Sequence, residues 1–127
     1  MGEQAPGLGP ILILDENERR AQLMSGLLTF LGEDNRIVQR ANFATECQPE
    51  EKISACILGA LSGGEHDSLV ASQPAIPFLV IGETLKFLFD KKNVIGLLTE
   101  PFVYPVVTQQ LRDCQEYKRL MPRLPQN

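Results

Sequence analysis

Positive charge is scarce in this 127-residue chain: Lys and Arg total 12 against 16 Asp and Glu, a net charge of −4. That balance argues against nucleic-acid binding by this segment, which would need a basic face. Cysteine is scarce too. Cys47, Cys56 and Cys114 are odd in number and none forms a C-x-x-C pair, so the paired spacing of zinc and redox sites is missing. Cys56 sits in an apolar run and reads as a small buried hydrophobe. No apolar run approaches transmembrane length, and no signal peptide is evident. With free thiols, this points to the cytoplasm. There is no internal repeat, no P-loop and no G-x-G-x-x-G, and Gly63-Gly64 is only a turn signal. His66 is the single histidine, with no acid or nucleophile at triad-like spacing, and is expected as an exposed residue at a helix start.

What is present is an ordinary globular composition, 43% apolar and 22% charged, in a length suited to one domain with one core. The organising stretch is Pro10-Ile11-Leu12-Ile13-Leu14-Asp15-Glu16-Asn17. Four consecutive apolar residues predict a strand covered on both faces, as in a parallel sheet flanked by helices. The strand stops on two adjacent carboxylates. In an open α/β sheet the carboxyl ends of the strands are where ligands bind, so the pair is in the right place for a site.

A helix capped by Asn17 or Glu16 should run to about Leu31, with Met24, Leu27, Leu28 and Leu31 on one stripe and Gly32 as its left-handed cap. Residues 36–40 read as a short second strand near an edge. A crossover helix is expected around 43–46, or restarted after Pro49. Strands follow at 53–58, 76–81 and 94–98, separated by helices at 65–73 and 83–91. A fifth helix opens near Pro105, places Val107, Leu111, Cys114 and Met121 inward, and ends at Pro122 and Pro125. The fold class is therefore α/β: a doubly wound five-stranded parallel sheet, order 2-1-3-4-5, flavodoxin-like, with right-handed crossovers. Residues 1–9 read as a disordered leader, 10–121 as the domain and 122–127 as the start of a linker.

From about Pro10 to Met121 the residues resemble a response-regulator receiver domain. Asp15-Glu16 matches the receiver's metal-holding pair, and Thr99-Glu100-Pro101-Phe102 matches its Thr-Lys-Pro-Phe turn, which implies a cis bond before Pro101. The runs ILILDENERRAQLMSGLLTFLGED and CILGAL narrow the resemblance to the FleQ/FlrA flagellar master regulators, which are sigma-54-dependent activators. In register with a receiver, the phosphoacceptor position is Gly59, the hydroxyl position Gly82 and the lysine position Glu100. The resemblance thus implies a degenerate phosphoacceptor pocket made of Asp15, Glu16, Gly59, Gly82, Glu100 and Pro101. It would carry no catalytic residue: glycine cannot form an acyl phosphate, and an anion stands where phosphoryl charge would develop. Asp15 and Glu16 alone would hold Mg²⁺ weakly. Glu100 either joins them in a three-carboxylate cation site or points to solvent or a nearby Lys or Arg, and the second reading is the simpler. The pair itself could persist as helix caps, worth about 0.3–1 kcal/mol.

The leading expectation is a non-enzymatic, non-phosphorylatable regulatory domain with no cofactor of its own, acting through self-association and protein contacts. A homodimer is expected through the surface of the fourth helix, fifth strand and fifth helix, with Lys86, Phe87, Phe89, Tyr104 and Arg112 as interface candidates. The basic end of the last helix, Arg112, Lys118, Arg119 and Arg123, is otherwise explained by the helix dipole. The resemblance implies a following AAA+ ATPase and a helix-turn-helix domain. It also implies modulation by cyclic di-GMP, for which no site is legible in this stretch, and by a MinD-like antiactivator ATPase. No direct nucleic-acid or membrane contact is expected of this domain. The alternatives are a phosphoaccepting receiver that uses an atypical carboxylate, and a small-ligand or cation sensor whose emptied pocket is lined by Gly59 and Gly82.

Overall fold

The computed structural model describes residues 9–120, apart from the side chains of Glu83, Thr84, Lys86 and Phe87. Five parallel strands stand in the order β2-β1-β3-β4-β5: β1 (Ile11–Leu14), β2 (Asn35–Ile37), β3 (Ala55–Leu58), β4 (Phe78–Ile81) and β5 (Val94–Leu98). All pairings are parallel, with one register irregularity between β4 and β5 at Phe78/Leu79. Helices α1 (Glu18–Phe30), α2 (Phe43–Glu46), α3 (His66–Ser72) and α4 (Tyr104–Leu120) make the connections together with 3₁₀ segments.

The unbroken apolar strands are buried on both faces, and their period of two divides the core. Leu12, Leu14, Cys56, Leu58, Phe78 and Val80 face one layer, with Phe43, Leu69 and Leu88. Ile11, Ile13, Ala55, Ile57, Leu79 and Ile81 face the other, with Met24 and Leu28 of α1 and Val107 and Leu111 of α4. Each such side chain, taken fully from water, contributes about 1.5–3 kcal/mol. Phe43 and Phe78 meet at 6.4 Å in a tilted pair, worth about 0.5–1.5 kcal/mol more.

Helix α1 starts where Asn17 Oδ1 accepts from the backbone N–H of Arg20 at 3.1 Å. It ends before Gly32, whose φ of +84° is the left-handed conformation that glycine adopts without strain. β2 is shorter than residues 36–40 suggest: Arg36 and Ile37 are exposed at the sheet edge, and the chain turns into a 3₁₀ segment (Arg40–Asn42). The predicted α-helix at 83–91 is instead a 3₁₀ helix, Glu83–Asp90. Its buried residues Leu85 and Leu88 are three apart, which suits three residues per turn, whereas Phe89, four on from Leu85, is exposed. The peptides Gln48–Pro49 and Glu100–Pro101 are cis. The expectations for residues 1–8, Met121, Pro122, Arg123 and Pro125 lie outside the described residues. Among the described residues no helix is long and apolar enough to cross a membrane.

Candidate functional site

The site lies at the carboxyl ends of β1, β3, β4 and β5. Asp15 follows directly on β1, and its side chain is fully buried. A buried carboxylate must be paired or hydrogen-bonded, and this one accepts from four donors. Oδ1 takes the backbone N–H of Asn17 at 2.9 Å, that of Ala60 at 3.0 Å, and Arg20 Nη2 at 3.0 Å. Oδ2 takes Arg20 Nε at 2.6 Å. This pairing raises the Arg20 pKa above the ordinary guanidinium value, against a smaller opposing effect of burial.

Glu16 is committed as well. Its backbone N–H donates to Ala60 O at 2.9 Å, and its Oε1 accepts from the Ser62 N–H at 2.8 Å. The acidic pair therefore fastens the loop after β3 to the tip of β1. It does more than cap α1. His66 completes the fastening, and here the expectation of an exposed helix-start residue is corrected. His66 is 8% exposed, and its Nε2 donates to Gly59 O at 2.8 Å. A buried carbonyl needs a donor, and the imidazole supplies it as the Nε2–H tautomer. Arg40 pairs with Glu65 at the same loop.

At Gly59 there is no side chain and no room for one: a Cβ there would lie 2.7 Å from Asp15 Oδ1 and closer to Oδ2. Gly82 has φ of +101° and donates its N–H to Leu98 O at 2.9 Å. A hydroxyl-bearing residue at this position would have to hold a strained backbone. Glu100 receives Arg19 Nη2 at 3.1 Å on both oxygens, so it sits in an ion pair and not in a cluster of acids. Pro101 is exposed.

Two successive arginines in the first turn of α1 oppose the helix dipole by about 0.3–1 kcal/mol each. Asp15 and Glu100 offset that, each facing one guanidinium. The donor set does not fit a divalent cation. Such an ion needs several free oxygens, whereas the oxygens of Asp15 are taken by two backbone N–H groups and the Arg20 guanidinium, and Glu100 is drawn to Arg19. Among the described residues no three His, Cys, Asp or Glu side chains converge on a point. Arg19, Arg20 and His66 are the site residues that sequence reasoning missed. An Arg-Arg pair in the first helical turn after an acidic pair was the available signal.

Of the interface candidates with described side chains, Phe89 and Tyr104 lie on elements that pack on opposite faces of the sheet. Phe89 belongs to the 3₁₀ segment that packs on the layer of α2 and α3. Tyr104 lies across the sheet and stacks on Phe30 of α1, with ring centroids 5.1 Å apart. Arg112 follows two residues after Gln110, whose Nε2 donates to Leu97 O in β5 at 3.2 Å. A step of about 200° around the helix turns exposed Arg112 away from β5. The side chains of Lys86 and Phe87 lie outside the described ones. At the basic end of α4, Lys118 donates to Glu50 O at 3.0 Å and Ala75 O at 3.4 Å, and Arg119 pairs with Glu116.

Comparison with solved structures returns receiver domains. The signal receiver domain of an HD domain-containing protein from Pseudomonas fluorescens Pf-5 aligns with a TM-score of 0.74 and 17% identity, covering 98% of each chain. The signal receiver domain of a modulated diguanylate cyclase from Desulfovibrio desulfuricans G20 aligns with a TM-score of 0.68 and 21% identity, over 90% of this chain and 98% of that one. NtrX from Brucella abortus aligns at 0.71 and 17%, over 91% of this chain and 28% of its own. At these identities the likeness is one of fold. No curated protein sequence matches. A family model described as flagellar regulatory protein FleQ matches residues 10–116, most of the chain. With that match on the same strand-and-turn framework that carries the acidic pair, the chain belongs to the FleQ family of flagellar regulatory proteins.

Proposed function

We propose that this chain is a non-phosphorylatable, receiver-like regulatory domain of a sigma-54-dependent activator of flagellar genes, and that it works by contact and not by covalent modification. The supporting observation is the state of Asp15: its carboxylate fills the space that a side chain at position 59 would need, and four donors hold it there. A receiver that accepts phosphate needs a free carboxylate beside a hydroxyl and a cation. Here two carboxylates of the pocket, Asp15 and Glu100, are each paired with an arginine of one helical turn.

On this reading the domain is cytoplasmic, non-enzymatic and without a cofactor. It leaves DNA binding and ATP hydrolysis to domains further along the parent protein. Its partners are a second copy, its own AAA+ domain and a MinD-like antiactivator. Incubation with acetyl phosphate and Mg²⁺ followed by intact mass measurement tests the reading. An unchanged mass is expected, and a stable phosphoryl adduct would overturn it in favour of an atypical carboxylate acceptor.

A further inference from the structure

The sheet has two edges, and the chain treats them differently. At β5, Leu98 O accepts from the Gly82 N–H that follows β4, so the period of two turns Leu97 O outward. Gln110 of α4 donates to that carbonyl at 3.2 Å, and its amide occupies the space a Cβ at Gly96 would need. An outward group of β5 is thereby satisfied from within the chain.

At β2 no such cover is present among the described residues. Asp34 O and the Val38 N–H both bond to β1, so the backbones of Asn35 and Ile37 face away from the sheet. β2 is the last strand, and their N–H and C=O groups meet no partner. The Asn35 side chain is meanwhile tied to α1. Its Oδ1 accepts from Ser25 Oγ at 2.7 Å, and its Nδ2 donates to Thr29 Oγ1 at 3.1 Å. The strand is held in place with its outer backbone idle.

Beside this edge, between β2 and the first turn of α1, lies a cleft of about 640 Å³. Ile37 is its apolar wall, 40% exposed and on the α1 face of the sheet with its register partner Ile13. Glu16 and Glu18 line the same cleft. The nearby cations are already engaged, Arg20 by Asp15 and Arg40 by Glu65. Glu18 is exposed and pairs with no cation among the described residues, and Glu16 uses only Oε1, on the Ser62 N–H.

We infer that β2 accepts an added strand: an extended segment of another protein, with a Lys or Arg where it passes Glu16 and Glu18. This rests on the reading that the domain works by contact, and it names a surface and a partner chemistry. Two features identify the occupant. Idle N–H and C=O groups along a strand are matched by another strand, whereas the backbone groups of a helix are closed on themselves. Uncompensated carboxylates at one end of the edge favour a basic residue there. β2 is three residues long. Arg36, on the opposite face with its register partner Leu12, pairs with Glu46 at 3.4 Å. A short edge carrying charge discourages open-ended stacking of sheets, so the site suits one short segment bound reversibly.

Titration of the isotope-labelled 127-residue chain with the capped peptide Val-Thr-Val-Thr-Lys-Lys, followed by amide shifts, tests this. At about 1 mM peptide the amides of Asn35, Ile37 and Gln39 should move. A peptide ending in Glu-Glu should bind about tenfold more weakly, and Glu18→Lys should reverse that preference. The Lys peptide with its Val and Thr nitrogens methylated keeps the charge and loses the strand pairing, so it should leave Asn35 and Ile37 unmoved. If the methylated peptide moves them equally, charge alone acts and strand addition is wrong. If the Glu peptide binds as well as the Lys peptide, the basic partner is wrong. If no peptide moves Asn35 or Ile37, the edge is not a docking site. If those amides move with protein concentration alone, a second copy is the occupant and the inference falls. None of these outcomes alters the mass found after acetyl phosphate, so failure of this surface is distinguishable from failure of the contact reading.

Discussion

The guanidinium of Arg20 closes on the carboxylate of Asp15, with Nε 2.6 Å from Oδ2 and Nη2 3.0 Å from Oδ1. The pair bridges the end of β1 and the first turn of α1. Through Ala60 it also reaches the loop after β3. In Arg20→Met the stem is kept and the charge removed, so a fully buried carboxylate is left with only two backbone donors. The expected loss is about 2–3 kcal/mol, read as a lower urea midpoint at constant slope. A loss below about 0.5 kcal/mol would mean that the pair behaves like a surface ion pair.

Restoring the missing acid should not restore phosphate acceptance. In Gly59→Asp the new Cβ lands on the Asp15 carboxylate, so one of the two must move and a second buried negative charge is added. Intact mass after acetyl phosphate and Mg²⁺ should show no adduct. Gly59→Ala isolates the steric part and should cost about 1–3 kcal/mol. An adduct on Gly59→Asp would show that Asp15 gives way easily, and that the empty position alone blocks the chemistry.

His66→Leu keeps the volume of a buried side chain and removes the donor to Gly59 O. An unsatisfied buried carbonyl costs about 1–3 kcal/mol. Amide exchange should quicken first across residues 59–64, the loop that His66, Asp15 and Glu16 hold together. Unchanged exchange there would mean that the loop is held by its other bonds alone.

The three thiols should be unreactive in the native chain. Burial raises the pKa of Cys47 to about 12 and pushes those of Cys56 and Cys114 well above the ordinary value of 9.0. Thiolate is the reactive form, so alkylation at pH 8 should proceed only as fast as the chain opens. The sign of the linkage follows from raised folded-state values. The contribution of these thiols to stability is whole below pH 9.0 and declines as pH rises from there towards 12. The urea midpoint should fall over that window, and Cys47→Ala should flatten the fall. Rapid labelling at pH 8 would contradict the burial.

Much of this molecule is written locally. Four apolar residues ending on Asp15, a helix stripe closed by Gly32 and the spacing of the later apolar runs are enough for the sheet, its order and its carboxyl edge. Strand burial and helix capping depend on neighbours within a few residues. That Gly59, Gly82 and Glu100 would share one edge was legible for the same reason, because a parallel sheet brings strand ends into register.

Tertiary structure decided what the polar groups do. Glu100 lies 81 residues from Arg19, and Ala60 lies 45 from Asp15, so no local pattern could pair them. The same holds for His66, whose place at a helix start suggested exposure, whereas the turn after β3 folds Gly59 O against it. The stacking of Tyr104 on Phe30 likewise depends on where α1 and α4 meet across one layer of the sheet. Apolar periodicity is a property of the chain. The partner of a charge or of a carbonyl is a property of distance, which exists only once the chain has closed.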